Sequence, residues 1–348
     1  MSNADRINAL NIALMIASCI AAYLLPFELF LFAYAVLGPL HYLTEISWIH
    51  DRRYFLDGDR SADGRHWLRL WLVLVAVTLA VMVYGVVAER LLHWPASPAW
   101  EIGLFYCVVA TAGLAVARAS DLVTAGAILL LGIGLVAFST SPLYGLIAFL
   151  LLTILHVLLF TGAFVLLGAL RARSRLGLAS VLVLAACALS FFLFAPPGAA
   201  PGAYAQASYA PFETLNATLI RMFGYGPAAS LAELYQSQGG IIVMRLIAFA
   251  YTYHYLNWFT KTSVIRWHEI LRTRTGVILL LWAGALGIYA WDYLLGFALL
   301  YSMSALHVML ELPLNHQSFA GIYRELAGRL RPAGTVAAPA AARRGRRR

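Results

Sequence analysis

The chain has 348 residues, of which 62% are hydrophobic and 12% charged, and a formal net charge of +9. A soluble domain carries about 25% charged residues, so the composition excludes an ordinary globular protein and predicts an all-α polytopic membrane protein. No basic face interleaves with aromatics in a folded soluble domain, which excludes nucleic acid as a partner and leaves anionic lipid as the counterpart of the positive charge.

A spanning helix needs about 20 apolar residues, and the apolar runs predict about ten spans. They cover 8–26, 28–49, 68–88, 100–117, 121–139, 143–169, 177–195, 240–260, 276–291 and 293–312. Only the Pro26-Phe27-Glu28 turn separates the first two. "IASC" (Ile16 to Cys19) resembles a lipoprotein cleavage box, but the apolar "IAAYLLPFELFLF" follows it, and a retained helix is expected. Cys19, Cys107 and Cys187 fall inside apolar runs, with no metal-binding spacing and no disulfide framework. The stretch 196–239 opens "APPGAAPGAYAQASYAP" and is expected to be the longest outside loop, with a short surface helix near 211–223. Residues 1–320 then form one transmembrane domain. Residues 321–348 form a basic, mostly disordered cytoplasmic tail.

Lys and Arg are retained on the cytoplasmic side of membranes. With the N-terminus inside, only Arg90, Arg221 and Arg245 of the 25 basic residues fall outside or on outside flanks. Both termini are therefore expected in the cytoplasm of a bacterium, the protein lying in its inner membrane.

"HYLTEISWIH" (His41 to His50) and "HVMLELPLNH" (His307 to His316) share one spacing of His, Glu and His. Positions four apart lie on one helix face. His41 therefore pairs with Glu45, and His307 with Glu311. At 1.5 Å per residue, His41, His254 and His307 sit about 10–15 Å above the cytoplasmic end of their spans, and His156 about 22 Å. Ionisable groups inside a bilayer cost several kcal/mol unless paired or facing a cavity. Two such pairs at similar depth are satisfied by each other or by a cation. Imidazole with carboxylate suits Fe, Zn or Mn, and two His with one carboxylate is the usual non-haem iron set. The expected metal ligands are His41, Glu45, His254, His307 and Glu311, with His50, His316 and His156 as further candidates. A lone His such as His156 also serves as interhelical glue. Glu45 and Glu311 are the expected catalytic carboxylates.

"GPLHYLTE" (Gly38 to Glu45) is similar to the Gly-x-Pro-His-Gly-x-x-Asp signature of the Brp/Blh family. These are bacterial and archaeal membrane proteins that cleave β-carotene to retinal with histidine-bound iron. His41 falls on the family histidine, and Glu45 stands for its aspartate. The proline sits one place earlier, no glycine follows His41, and no later His-x-x-x-His pair is present. The resemblance implies a multi-helix bundle with a histidine-rich iron site.

The reading is an O₂-dependent oxidoreductase with mono- or dinuclear non-haem iron, acting on a lipid or isoprenoid. Tyr42, Trp48, Tyr255 and Trp258 are expected to wall the substrate pocket, and Lys261 and Arg266 to hold a headgroup or a soluble electron donor. Two alternatives use the same residues: a zinc-dependent lipid hydrolase or transferase, and a proton-coupled transporter with the His–Glu pairs as relay.

Overall fold

The computed structural model describes residues 3–56, 62–90, 98–117, 153–154, 156–198, 201–225, 231–261 and 272–330. The span expected over 121–139, Arg266 and the tail from 331 lie outside the described residues. Among those described there is no strand.

The helices are α1 (Asn3–Leu24), α2 (Pro26–Phe32), α3 (Gly38–Asp51), α4 (Ala62–Arg90) and α5 (Pro98–Ala117). They continue with α6 (Thr161–Ala172), α7 (Arg175–Leu193), α8 (Ala203–Tyr209), α9 (Glu213–Met222) and α10 (Leu231–Gln236). The last three are α11 (Gln238–Thr260), α12 (Arg272–Trp291) and α13 (Tyr293–Leu330). The surface helix expected near 211–223 is α9. Residues 321–330, expected as the start of the tail, are helical, since α13 runs to Leu330.

Among the described residues, six helical stretches are long and apolar enough to cross a membrane: Asp5–Leu24, Pro26–Asp51, His66–Gly85, Arg175–Leu193, Thr273–Trp291 and Leu295–Leu330. Their outer faces are apolar, the reverse of a soluble bundle. Leu182 and Leu189 on α7 and Leu280 on α12 stand exposed, while His41, Glu45, His254, His307 and Glu311 are buried.

α11 is the most enclosed element: every residue from Gly239 to Tyr255 is buried. Ser237 caps it by accepting a hydrogen bond from the Gly240 amide at 3.0 Å. A Cβ on Gly240 would lie 1.9 Å from the Leu234 carbonyl oxygen, so only glycine permits the tight turn from α10. α1, α2 and α7 pack around α11. α13 packs against α3, α4, α5, α6 and α12. One apolar core surrounds α11, and a second joins Trp71 and Val75 of α4 to Phe105 of α5 and Met309 of α13.

Arg245 lies buried in α11. Its guanidinium donates to the Pro196 carbonyl at 2.8 Å, sits 3.5 Å from the carbonyls of Tyr23 and Pro197, and lies 5.0 Å from the Tyr23 ring centroid. Among the described residues no carboxylate meets it, so backbone oxygens and a ring face satisfy the charge.

Two π-helical turns interrupt the ladder, at Ala33–Leu37 and His156–Phe160. Pro39 explains the first. It has no N–H to donate, and its ring presses on the carbonyl of Ala35 four residues back. A wider turn absorbs both effects, and α2 continues into α3 as one apolar rod.

Candidate metal centre

α3, α11, α13 and the second π turn meet at one point, and each delivers a histidine there. His41 comes from α3, His156 from the π turn, His254 from α11 and His307 from α13. All four are buried. Their rings form a closed circuit. Centroid separations are 4.7 Å for His41–His254, 5.3 Å for His254–His156, 5.2 Å for His156–His307 and 5.3 Å for His307–His41. One nitrogen from each of His41, His254 and His307 lies within 4.8 Å of the others, a span compatible with one metal ion.

The carboxylates stand on two sides of this circuit. Glu45 Oε2 lies 3.0 Å from His41 Nε2, and His254 Nε2 lies 3.1 Å from the same nitrogen. Glu311 Oε2 lies 3.3 Å from His156 Nε2. Neither carboxylate oxygen is aligned for a hydrogen bond, and His156 Nε2 and His307 Nε2 also lack an aligned partner. Buried polar atoms almost always find one. Here the unpartnered atoms stand around the imidazole circuit, of which His41, His254 and His307 each place a nitrogen within the span of one cation.

The wider π turn explains how His156 and Thr161 act together. Five positions apart, they would point about 140° from each other on an α-helix. A π turn bonds at that interval, and both side chains reach His254. Thr161 Oγ1 lies 2.7 Å from His254 Nδ1. With Nδ1–H donating to Thr161, the lone pair on Nε2 points inward, the arrangement a metal-binding imidazole needs. No periodic signal in the sequence points to Thr161.

The aromatics divide into two groups. Tyr42 stacks on His307 at 4.3 Å and 24°, and its hydroxyl meets that of Tyr255 at 2.6 Å. A Cβ on Gly38 would sit 3.2 Å from the Tyr42 oxygen and 3.3 Å from that of Tyr255, so the glycine makes room for this pair. These tyrosines brace His307 and His41. Trp258 and Trp48 instead line a cavity that opens onto the histidines. Trp258 Nε1 donates to Thr44 Oγ1 at 3.0 Å.

That cavity measures about 460 Å³. Its inner end is formed by His41, Glu45, His254 and Glu311. Its walls are Trp48, Phe164, Val165 and Leu314. At its outer end stand Asn8 and Lys261, the first residue after α11, which are half-buried, and the exposed Ala172. Burial pushes the Lys261 ammonium down to about 8.

Two histidines of the doubled motif stand elsewhere. His50 ends α3, exposed, with Nδ1 3.5 Å from Asp51 Oδ1. From Glu45 the helix has turned it off the site face. His316 lies beyond Pro313, through which α13 runs unbroken. Its Nδ1 donates to the Leu312 carbonyl at 2.8 Å, and its ring packs on Gly113 of α5. Arg274 makes an ion pair with Asp51 at 2.6 Å.

No protein-family model matches the chain, and no curated protein or solved structure does either. The Brp/Blh resemblance rests on Gly38–Glu45 alone.

Proposed function

We propose that this chain is a bacterial inner-membrane oxidoreductase that uses one or two non-haem iron ions and O₂ to oxidise a lipid or isoprenoid. The observation that carries this reading is the buried circuit of four imidazoles flanked by two carboxylates. Shared by one ion, six nitrogen and oxygen donors would exceed the four of a tetrahedral zinc site; split between two ions, they would leave each with an open position for O₂. They match the harder, higher-coordinate preference of non-haem iron. Among the described residues no lysine or arginine pairs with either carboxylate, so both would carry a large desolvation cost if ionised. A divalent cation supplies the missing positive charge.

His41, His254 and His307 would hold the ion, with Glu45 beside them. The His156–Glu311 pair would complete its shell or hold a second ion. Bound iron would supply the redox capacity for O₂-dependent oxidation. The protein's own part is to orient the rings, through Thr161 and Tyr42, and to admit hydrocarbon through apolar walls while keeping water scarce. Those walls favour attack on a hydrocarbon chain over hydrolysis of a polar linkage. About ten spans, with both termini in the cytoplasm, complete the picture.

The test is metal analysis and absorption spectroscopy of the purified protein, followed by lipid analysis. Iron without a haem Soret band is expected. Air and an electron donor should alter a membrane lipid extract with wild type and leave it unchanged with His41→Ala. Zinc instead of iron would point to the hydrolase, and absence of any metal to the proton relay.

A further inference from the structure

The cavity bears on what the substrate is. Apart from the histidines and carboxylates at its inner end, Lys261 is the one charged side chain among its lining residues. Arg274, near the start of α12, is held by Asp51 and is not among them. No carboxylate lies within ion-pair distance of Lys261 among the described residues. The polar side chains near it are largely committed. Asn8 donates to Ser174 Oγ at 3.3 Å, and Asn11 Oδ1 accepts from Thr260 Oγ1 at 3.1 Å. Among the described residues, then, an ammonium with no counter-ion stands at the mouth of an apolar channel.

Along α11, Lys261 is seven residues from His254, about 10 Å of helix rise. The two mark the outer and inner ends of the cavity, with Phe164, Val165 and Leu314 on the walls between them. A volume of about 460 Å³ lies in the range that holds one small ligand, or part of one chain. A neutral hydrocarbon would leave Lys261 unanswered.

We propose that the cavity takes a single-chain anionic amphiphile, with its phosphate or carboxylate on Lys261 and its hydrocarbon running inward to the four histidines. This rests on the metal-centre reading for the fate of the chain, but not for its binding.

The experiment uses full-length protein in neutral detergent and a palmitate carrying a photoreactive group in mid-chain. Competitors are unlabelled palmitate, 1-palmitoyl lysophosphatidate and hexadecanol. Labelled peptides should contain Phe164, Val165 or Leu314. Both anions should compete about tenfold better than hexadecanol, the scale of one charge-assisted hydrogen bond. Either order between the anions supports the inference and identifies the headgroup. Lys261→Met should erase the preference, and Lys261→Arg should keep it. Equal competition by hexadecanol, labelling elsewhere, or a preference that survives Lys261→Met would overturn it. Labelling should persist in His307→Ala. Labelled wild type without metal would sink the metal centre alone, and iron-loaded wild type indifferent to headgroup charge would sink this inference alone.

Discussion

The two His–Glu–His stretches have one spacing and two outcomes. In α3, His41 and Glu45 meet each other at 3.0 Å within a single helix. In α13, Glu311 reaches across to His156, while His307 stacks on Tyr42. The third members part as well. His50 ends exposed beside Asp51, whereas His316 is folded onto its own helix and Gly113. Spacing along a helix decides which face a side chain shares. Its partner is decided by what stands opposite that face. Opposite Glu311 stands His156 of the π turn, and opposite His41 stand His254 of α11 and His307 of α13.

The contrast can be broken at several strengths. The largest effect is expected where the two stretches converge. His41→Ala and His307→Ala should each lose most of the bound metal, and the double variant should look little worse than either, because both break one unit. Independent, additive losses measured by elemental analysis would separate the two stretches into two sites.

Next come the carboxylates. Glu45→Gln and Glu311→Gln should each weaken metal binding by about 10–100-fold, the usual cost of disturbing groups next to a metal. They should differ in their coupling. A double-mutant cycle of His156 with Glu311 should show an interaction of about 0.5–3 kcal/mol between separate elements. A cycle pairing Glu311 with His307 should show the smaller term. The reverse result would mean that the spacing, not the opposing element, sets the partner.

A smaller effect is expected at Gly113. A Cβ there would stand 3.0 Å from His316 Nε2, and the ring must give way. Gly113→Ala should cost about 1–3 kcal/mol in thermal unfolding, as overpacking does, with metal content unchanged. The smallest is His50→Ala. An exposed histidine away from the cluster should shift stability by no more than about 0.5 kcal/mol and leave the metal in place.

Much of this was legible from the amino-acid order. The i,i+4 pairs marked His41, Glu45, His307 and Glu311, and the aromatic run around Tyr251 to Phe259 marked His254. Helix depth put three of the histidines at one level. The fourth, His156, lies about 22 Å of regular helix from Arg171 and so reads as deeper than the others; the π turn at His156–Phe160 changes its facing and brings it into the circuit. Thr161 was invisible for the same reason. Tyr42 and Tyr255 were expected as pocket walls. They instead brace the rings, since neighbours of His41 and His254 in sequence point about 100° away from them on a helix. The helical class and the long apolar spans followed from composition. α11 is not among the six apolar spans, and it is buried along most of its length, so its tyrosines, His254 and Asn257 need not face lipid.

The buried Arg245 has a consequence for how such a chain is made. Arg245 stands a third of the way along α11, where an arginine still disfavours insertion, though by less than the roughly 2.5–3.5 kcal/mol it costs at a helix centre. The carbonyls that receive its guanidinium belong to Tyr23, Pro196 and Pro197. All three are synthesised before α11. Vectorial translation thus delivers the acceptors first, and α11 is admitted by a half-built protein rather than by lipid. Moving α11 ahead of α1 by circular permutation should strand it at the translocon, even though every contact of the finished fold would still be encoded.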